Sequence, residues 1–397
     1  MSWFFGSKSV DTDEKKINEL LTRGVENVIP RELAQKKLGS GKPVRIYLGI
    51  DPTGAKLHLG HSVPLRKLKK FSELGHKVVF LVGSFTAMIG DPSGRDTMRE
   101  PLTAEKVREN FKDYKKQAQK ILDFSKVEVR YNDEWLSPLR FADIVKLASN
   151  FTVQQMIQRE MFQKRLGENK PIGLHEFLYP LMVGYDSVVL DVDAELGGSD
   201  QEFNMLAGRT LQQALGKKDK FVLTTRLIEG TDGRKMSKTY NNCVYLKDEP
   251  SDMYGKIMSL KDELVKTYLE TATDVPLGEV PSILAGHPKE AKMCLAREIV
   301  TMYHSKDAAE KAEKQFTTAF SEGGAPENIP HVEITKGTPL LDALATLGES
   351  KSELRRLISQ GAVGEVGGES FFDPVMSVER GMTLRIGKHR FLKIVIK

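Results

Sequence analysis

Two histidines three positions apart, His58 and His61, follow a strand-like apolar run and enclose Gly60 in the stretch HLGH. A helix start attracts anions through unpaired backbone N–H groups and the positive end of the dipole, and imidazoles placed there can donate to phosphate oxygens. The small Gly60 lets a flat base approach the backbone. The other readings of these four letters are a surface histidine pair or two metal ligands, but HLGH lacks the glutamate and third ligand of a zinc site. A second segment, GTDGRKMSKTYNN at 230–242, sets Lys235, Lys238 and Thr239 in a loop with Gly230 and Gly233. Two ammonium groups and a hydroxyl suit a triphosphate, although a lone lysine pair is ordinarily solvated.

For both segments to serve one nucleotide, a sheet must bring them together. VRIYLGI (44–50) and KVVFLVG (77–83) read as buried strands, and Leu65, Leu68 and Phe71 recur at helical spacing over 61–75 between them. Such a strand–helix–strand unit closes as a right-handed parallel crossover, leaving the first strand's C-terminal end at the edge where α/β sheets bind ligands. VEVRYN (127–132), DSVVLDVD (186–193) and KFVLTTRL (220–227) are expected as further strands, with a helix in SDQEFNMLAGRTLQQALG. The expected architecture is α/β: an N-terminal helical segment over 1–40, then a doubly wound parallel sheet over 41–250. That sheet is interrupted by a mostly polar helical block at 100–178.

Strand signals vanish over 251–325, which reads as a small helical domain, and Gly323, Gly324 and Pro326 mark a linker. In the last segment, 332–397, Thr338 is expected as a helix cap, Pro339 at the first helical position and Gly348 at the end of LLDALATL. A second helix, SELRRLISQG, turns Leu354, Leu357 and Ile358 to one face and Arg355 and Arg356 to solvent. Gly-punctuated short strands follow, giving an α+β segment.

With 397 residues, two or three domains are the prior, and 40% hydrophobic with 28% charged residues is a globular balance. No apolar run approaches the roughly 18 residues of a membrane span. The start has too short an apolar patch for a signal peptide and too many acids for a transit peptide, so a cytoplasmic protein is expected. Cys243 and Cys294 form no CxxC pairing, which suits a reducing compartment and offers no metal or disulfide framework. The net charge is +5, and residues 336–397 hold ten Lys and Arg against seven Asp and Glu, which permits a polyanionic partner.

YLGIDPT, HLGH, GDPSG, HEFLYPLMVGYDS, ELGGSDQEFN and KMSKT succeed one another in an order that resembles the class I aminoacyl-tRNA synthetases and their HIGH and KMSKS signatures. The likeness spans nearly the whole chain and is nearest to the bacterial tyrosyl members. The C-terminal segment resembles the small RNA-binding domain shared with ribosomal small-subunit protein four. The resemblance implies ATP, with Mg²⁺, as co-substrate, L-tyrosine and tRNA(Tyr) as the other substrates, and no protein-bound metal. It also implies a homodimer formed through the inserted block and an anticodon-binding helical domain.

By residue, the resemblance puts His58, His61, Lys235, Lys238 and Thr239 on the reacting phosphates. Gly49, Gly60, Asp51 and Asp200 are placed against the adenylate, Asp51 and Asp200 on its amino-acid or ribose side. Tyr47 and Asp186 meet the substrate phenol, Tyr179 and Asp91 its ammonium with Gln201 nearby, and Arg355 and Arg356 face RNA. Val183 stands where the family usually has a glutamine that helps hold the ammonium. The alternatives are a tryptophanyl or other class I ligase, and a non-catalytic RNA-binding descendant that would have no need of phosphate-transfer groups.

Overall fold

The computed structural model describes residues 9–397 apart from 55, 94–101, 238–239, 322–328, 346–349 and 388–389. The chain divides into two compact units, Met1–Lys247 with Leu260–Ala285, and Asp248–Ser259 with Gly286–Lys397.

The first unit opens with α1 (Glu14–Thr22), β1 (Val25–Ile29) and α2 (Arg31–Leu38). Asp13 caps α1 by accepting from the N–H of Lys16, and Ile17, Leu20 and Leu21 form its buried face. The segment 1–40, expected as helical, thus also contains a strand. VENVI mixes Glu and Asn with its valines because β1 is an edge, paired antiparallel to one neighbour.

Next come β2 (Arg45–Ile50), α3 (Leu59–Glu73) and β3 (Lys77–Val82), and β2 pairs in parallel with β3, Tyr47 opposite Val79. The helix starts two residues before the expected 61–75, so His58 is its N-cap and His61 lies in its first turn. Buried Lys67 ties α3 to the end of α1, donating to the carbonyls of Leu20 (2.8 Å) and Arg23 (2.6 Å).

Then follow α4 (Thr86–Ile89), α5 (Ala104–Ala118), β4 (Glu128–Tyr131), α6 (Asp133–Leu136), α7 (Phe141–Ala148), α8 (Val153–Ile157), α9 (Glu160–Gly167) and α10 (Leu174–Leu190). β4 forms within the strand expected at 127–132 and pairs in parallel with β3, so the mostly helical block expected at 100–178 is divided by a strand of the sheet. The expected strand at 186–193 is instead the last turn of α10, which ends at Asp191 in the left-handed conformation. Val188 and Val189 suit either structure, and seventeen continuous helical residues decide for the helix. The strand lies just beyond, at β5 (Ala194–Gly198), whose two glycines hide it from propensity arguments.

After β5 come α11 (Glu202–Ala214) and β6 (Phe221–Thr225); α12 (Pro250–Met258) opens the second unit, and α13 (Val265–Ala272) and α14 (Val280–Ala285) complete the first. The six-stranded sheet has the order β1-β6-β5-β2-β3-β4, with five parallel strands and β1 antiparallel. Order reverses between β2 and β5, which makes their C-terminal ends the switch point where such sheets hold ligands.

The second unit continues with α15 (Pro288–Tyr303) and α16 (Lys306–Ser321), bridged by a bidentate pair from Arg297 to Glu313 at 2.7 and 2.8 Å. Its last part holds β7 (His331–Ile334), β8 (Thr338–Pro339), α17 (Leu340–Ala345), α18 (Lys351–Ser359), β9 (Val363–Glu365), β10 (Ser370–Phe371), β11 (Ser377–Val378), β12 (Met382–Ile386) and β13 (Arg390–Ile396). Thr338 and Pro339 are not a cap and first helical residue: they pair with β11, and the helix starts at Leu340. Gly348 lies outside the described residues. Leu354 and Ile358 of α18 are buried with Leu340, Leu384 and Leu392, while Arg355 and Arg356 are exposed, as the helical spacing requires.

Candidate active site

A cavity of about 860 Å³ opens at the switch point, lined from β2 (Tyr47, Gly49), the start of α3 (His58, Gly60, His61), α10 (Tyr179, Val183, Asp186), the segment after β5 (Asp200, Gln201) and the loop after β6 (Lys235, Met236). Asp51 and Asp91 line it too. Lys238 and Thr239 lie outside the described residues. The other proposed active-site residues therefore share one cavity although they span nearly 190 positions of chain.

At the nucleotide-like end, the His58 backbone N–H donates to Nδ1 of His61 at 3.2 Å. A neutral imidazole that accepts at Nδ1 carries its proton on Nε2, so His61 is set as a donor. A methyl group at Gly60 would lie 3.0 Å from the His58 ring and 3.9 Å from Sδ of Met236, which shows how closely the HLGH turn and the lysine loop approach. Backbone bonds hold that approach: Leu59 N–H to Val244 O and Leu246 N–H to Leu57 O, both 2.9 Å. Lys235 Nζ sits 3.2 Å from Oδ2 of Asp200.

At the other end, Asp186 accepts from Nε1 of Trp135 (2.7 Å) and Nδ2 of Asn132 (3.3 Å). Burial pushes its carboxyl well above the usual carboxylate range, against the pull of those two hydrogen bonds. Burial, with Glu195 and Asp186 nearby, likewise raises the Tyr47 phenol and keeps it protonated. Tyr179 donates to Asp51 at 2.9 Å, and Thr86 donates to the other Asp51 oxygen at 2.7 Å. Any side chain at Gly83 would overlap that carboxylate. Gln201 Nε2 donates to Asp91 at 2.7 Å, and Asp91 also closes its own turn by accepting from the Ser93 N–H at 2.9 Å.

The arrangement offers donors at one end and a buried phenolic oxygen with a carboxyl at the other. The family model for tRNA synthetases class I (W and Y) matches residues 39–321. The chain belongs to that family. It is 43% identical over 408 residues to a protein of Moorella thermoacetica named tyrosine–tRNA ligase, covering 99% of this chain and 98% of the relative. An Oleidesulfovibrio alaskensis protein of the same name is 45% identical over 389 residues, with 95% and 98% covered. Among solved structures, a C-terminally truncated mitochondrial tyrosyl-tRNA synthetase of Coccidioides posadasii matches with a TM-score of 0.61 at 26% identity, covering 78% of this chain and 92% of that one.

Sequence reasoning missed several residues of this class I synthetase that hold the site. Asn132 and Trp135 arrive from the β4–α6 corner, and Thr86 from the first residue of α4. Arg159 stands behind Asp91, donating to Ser93 Oγ at 2.8 Å and lying 4.7 Å from the Phe203 ring centre. Burial lowers its guanidinium to about 10, with Asp91 partly opposing. None of these positions belongs to a local motif, and only the fold brings them in. Arg355 and Arg356 belong to the other unit, where Arg356 is engaged by Glu353 at 2.5 and 3.0 Å. Among the described residues, no helix is long and apolar enough to cross a membrane.

Proposed function

We propose that the chain joins L-tyrosine to tRNA(Tyr) in the cytoplasm, through a tyrosyl-adenylate. The observation that supports this reading is the single cavity lined by His58, His61 and Lys235 as well as by Tyr47 and Asp186. The tyrosine carboxylate attacks the α-phosphate of ATP, pyrophosphate leaves, and a ribose hydroxyl of the tRNA then takes the acyl group and releases AMP. Negative charge grows on phosphate oxygens, so positioned donors do most of the work. His61, through its Nε2 proton, His58 and Lys235 supply those donors, joined by Lys238 and Thr239 from the same loop. Gly49 and Gly60 leave room for the nucleoside, and Asp200 takes the ribose side.

Mg²⁺ travels with the ATP phosphates and neutralises part of their charge. The donor set fits a nucleotide-borne ion: of the carboxylates facing the cavity, Asp51 is engaged by Thr86 and Tyr179, and Asp200 by Lys235. The phenol hydroxyl of the substrate lies between Tyr47 and Asp186. Phenylalanine would bring no hydroxyl to this buried pair and would strip it of water without a hydrogen bond in return, a desolvation cost. Tyr179, Asp91 and Gln201 gather at the ammonium. Phe141, Leu174, Val153 and Val145, apolar side chains 81, 78, 69 and 52% exposed, support a homodimer formed through the inserted block. The helical segment 251–325 and the C-terminal segment 332–397 supply the tRNA contacts, with Arg355 and Arg356 exposed on α18.

ATP–pyrophosphate exchange measured with each amino acid tests the reading. Stimulation by tyrosine is expected. Stimulation by tryptophan alone would assign the other specificity of the family, and silence with every amino acid would favour an RNA-binding descendant. Val183 removes a side chain able to hydrogen-bond the ammonium, and a bond to a charged group is worth about 1.5–3 kcal/mol. Val183→Gln is therefore expected to lower KM for tyrosine at least about tenfold with kcat little changed. An unchanged KM would remove this position from the ammonium site.

A further inference from the structure

The Tyr47 hydroxyl faces more than the cavity. It lies 3.0 Å from Oγ of Ser187 on α10, which in turn meets a buried ion pair between Lys220, the residue before β6, and Glu195 of β5. All four side chains are buried, with Lys220 and Ser187 inaccessible to solvent. Replacing a buried ion pair with apolar side chains is often neutral or stabilising, so its presence in the core asks for a role other than stability.

A count of protons supplies one. An ammonium only donates, a carboxylate only accepts, and a hydroxyl has one proton and two acceptor positions. Lys220 Nζ donates to Ser187 Oγ at 2.6 Å and also to the Glu195 carboxylate. Ser187 donates its own proton to Oε2 of Glu195 at 3.1 Å. A single acceptor position on Ser187 is left, so by this count Tyr47 is the donor across the 3.0 Å contact, its other acceptor, the Val183 carbonyl, being more distant at 3.5 Å. The Tyr47 proton then points away from the substrate, and its oxygen meets the cavity with lone pairs only. The ammonium also lies 5.9 Å from the centre of the Tyr47 ring, within the range of a favourable cation–ring contact.

A second observation concerns space. A methyl group at Gly208 of α11 would stand 2.5 Å from Lys220 Nζ, 2.5 Å from Ser187 Oγ and 3.1 Å from Ser187 Cβ. Only glycine leaves room there for the lysine and the serine to meet. We propose that Lys220 and Glu195, acting through Ser187, are positioning residues that fix Tyr47 as a hydrogen-bond acceptor and so help select an amino acid bearing a phenol. This inference rests on the tyrosine-ligase reading and adds three residues to the specificity of its site.

The test is ATP–pyrophosphate exchange with tyrosine and with phenylalanine for Ser187→Ala and Lys220→Met, each made in the native chain and in a Tyr47→Phe background. Loss of one hydrogen bond predicts KM for tyrosine up about tenfold, kcat within about twofold, and discrimination against phenylalanine down about tenfold. In the Tyr47→Phe background the same substitutions should change KM by less than about twofold, because the group they act through is gone. Equal losses with both amino acids, or the same loss in both backgrounds, would mean a merely structural role and overturn the proposal. If Lys220→Met does not fold by circular dichroism, Ser187→Ala, which leaves the ion pair intact, decides. A native chain unresponsive to tyrosine ends the ligase reading and this inference with it; a responsive native chain with unaltered variants ends the inference alone.

Discussion

Lys235→Ala is expected to slow adenylate formation about a hundredfold or more while leaving the Kd for tyrosine within about twofold, because deleting one preorganised donor to developing charge costs roughly 10²–10³ in rate. The side chain is 54% exposed, reaches Asp200 at 3.2 Å and comes from a loop rather than a strand. An exposed ammonium adds little to ground-state binding. Its effect grows when pyrophosphate charge builds beside it in the transition state. Single-turnover formation of the adenylate and equilibrium titration of tyrosine separate the two terms. His61→Ala should follow the same pattern, since its Nε2 proton points a second donor at the same charge. A tenfold loss of tyrosine affinity in Lys235→Ala, with the rate constant intact, would move this lysine out of the phosphate role.

The nucleotide end of the cavity is legible in the sequence because its chemistry is carried by contiguous turns. HLGH occupies the cap and first turn of α3, and the lysine loop follows β6, so each segment brings its own backbone geometry. The phenol end is only half legible. Tyr47 and Asp186 can be named from the resemblance, but the partners that hold Asp186, Asn132 and Trp135, lie 54 and 51 positions away in sequence. Ser187, Glu195 and Lys220 come from α10, β5 and the residue before β6 and follow no periodic pattern. β5 was hidden for a related reason: AELGG has poor strand propensity, and its place between β2 and β6 is a tertiary choice. The run before it, DSVVLDVD, is β-branched enough to read as a strand, yet packing of α10 against α11 holds it helical. Local pattern thus identified the residues proposed to meet phosphate, and the fold had to supply what orients the proposed side-chain pocket.

Arg165→Met is expected to cost about 3–5 kcal/mol of stability, the loss usual when one partner of a buried ion pair is removed and the other is left charged. Arg165 on α9 has no exposed side-chain surface and grips Glu176 with two parallel bonds of 2.8 and 2.9 Å, a geometry lysine cannot reproduce. It also donates to the Pro171 carbonyl. Glu176 stands in the first turn of α10 and accepts from the Gly173 N–H at 2.7 Å, so the pair fixes where that helix begins. One, two and nearly three turns further along are Tyr179, Val183 and Asp186. A shift at the start of α10 therefore reaches the ammonium and phenol positions together. At about 2–4 °C of melting temperature per kcal/mol for a unit of this size, the variant should melt roughly 10 °C lower. The double variant Arg165→Met with Glu176→Met should recover most of that loss, because an apolar pair leaves no charge stranded. Recovery of melting temperature without recovery of KM for tyrosine would show that Glu176, by fixing the first turn of α10, sets the register of the substrate pocket as well as its stability.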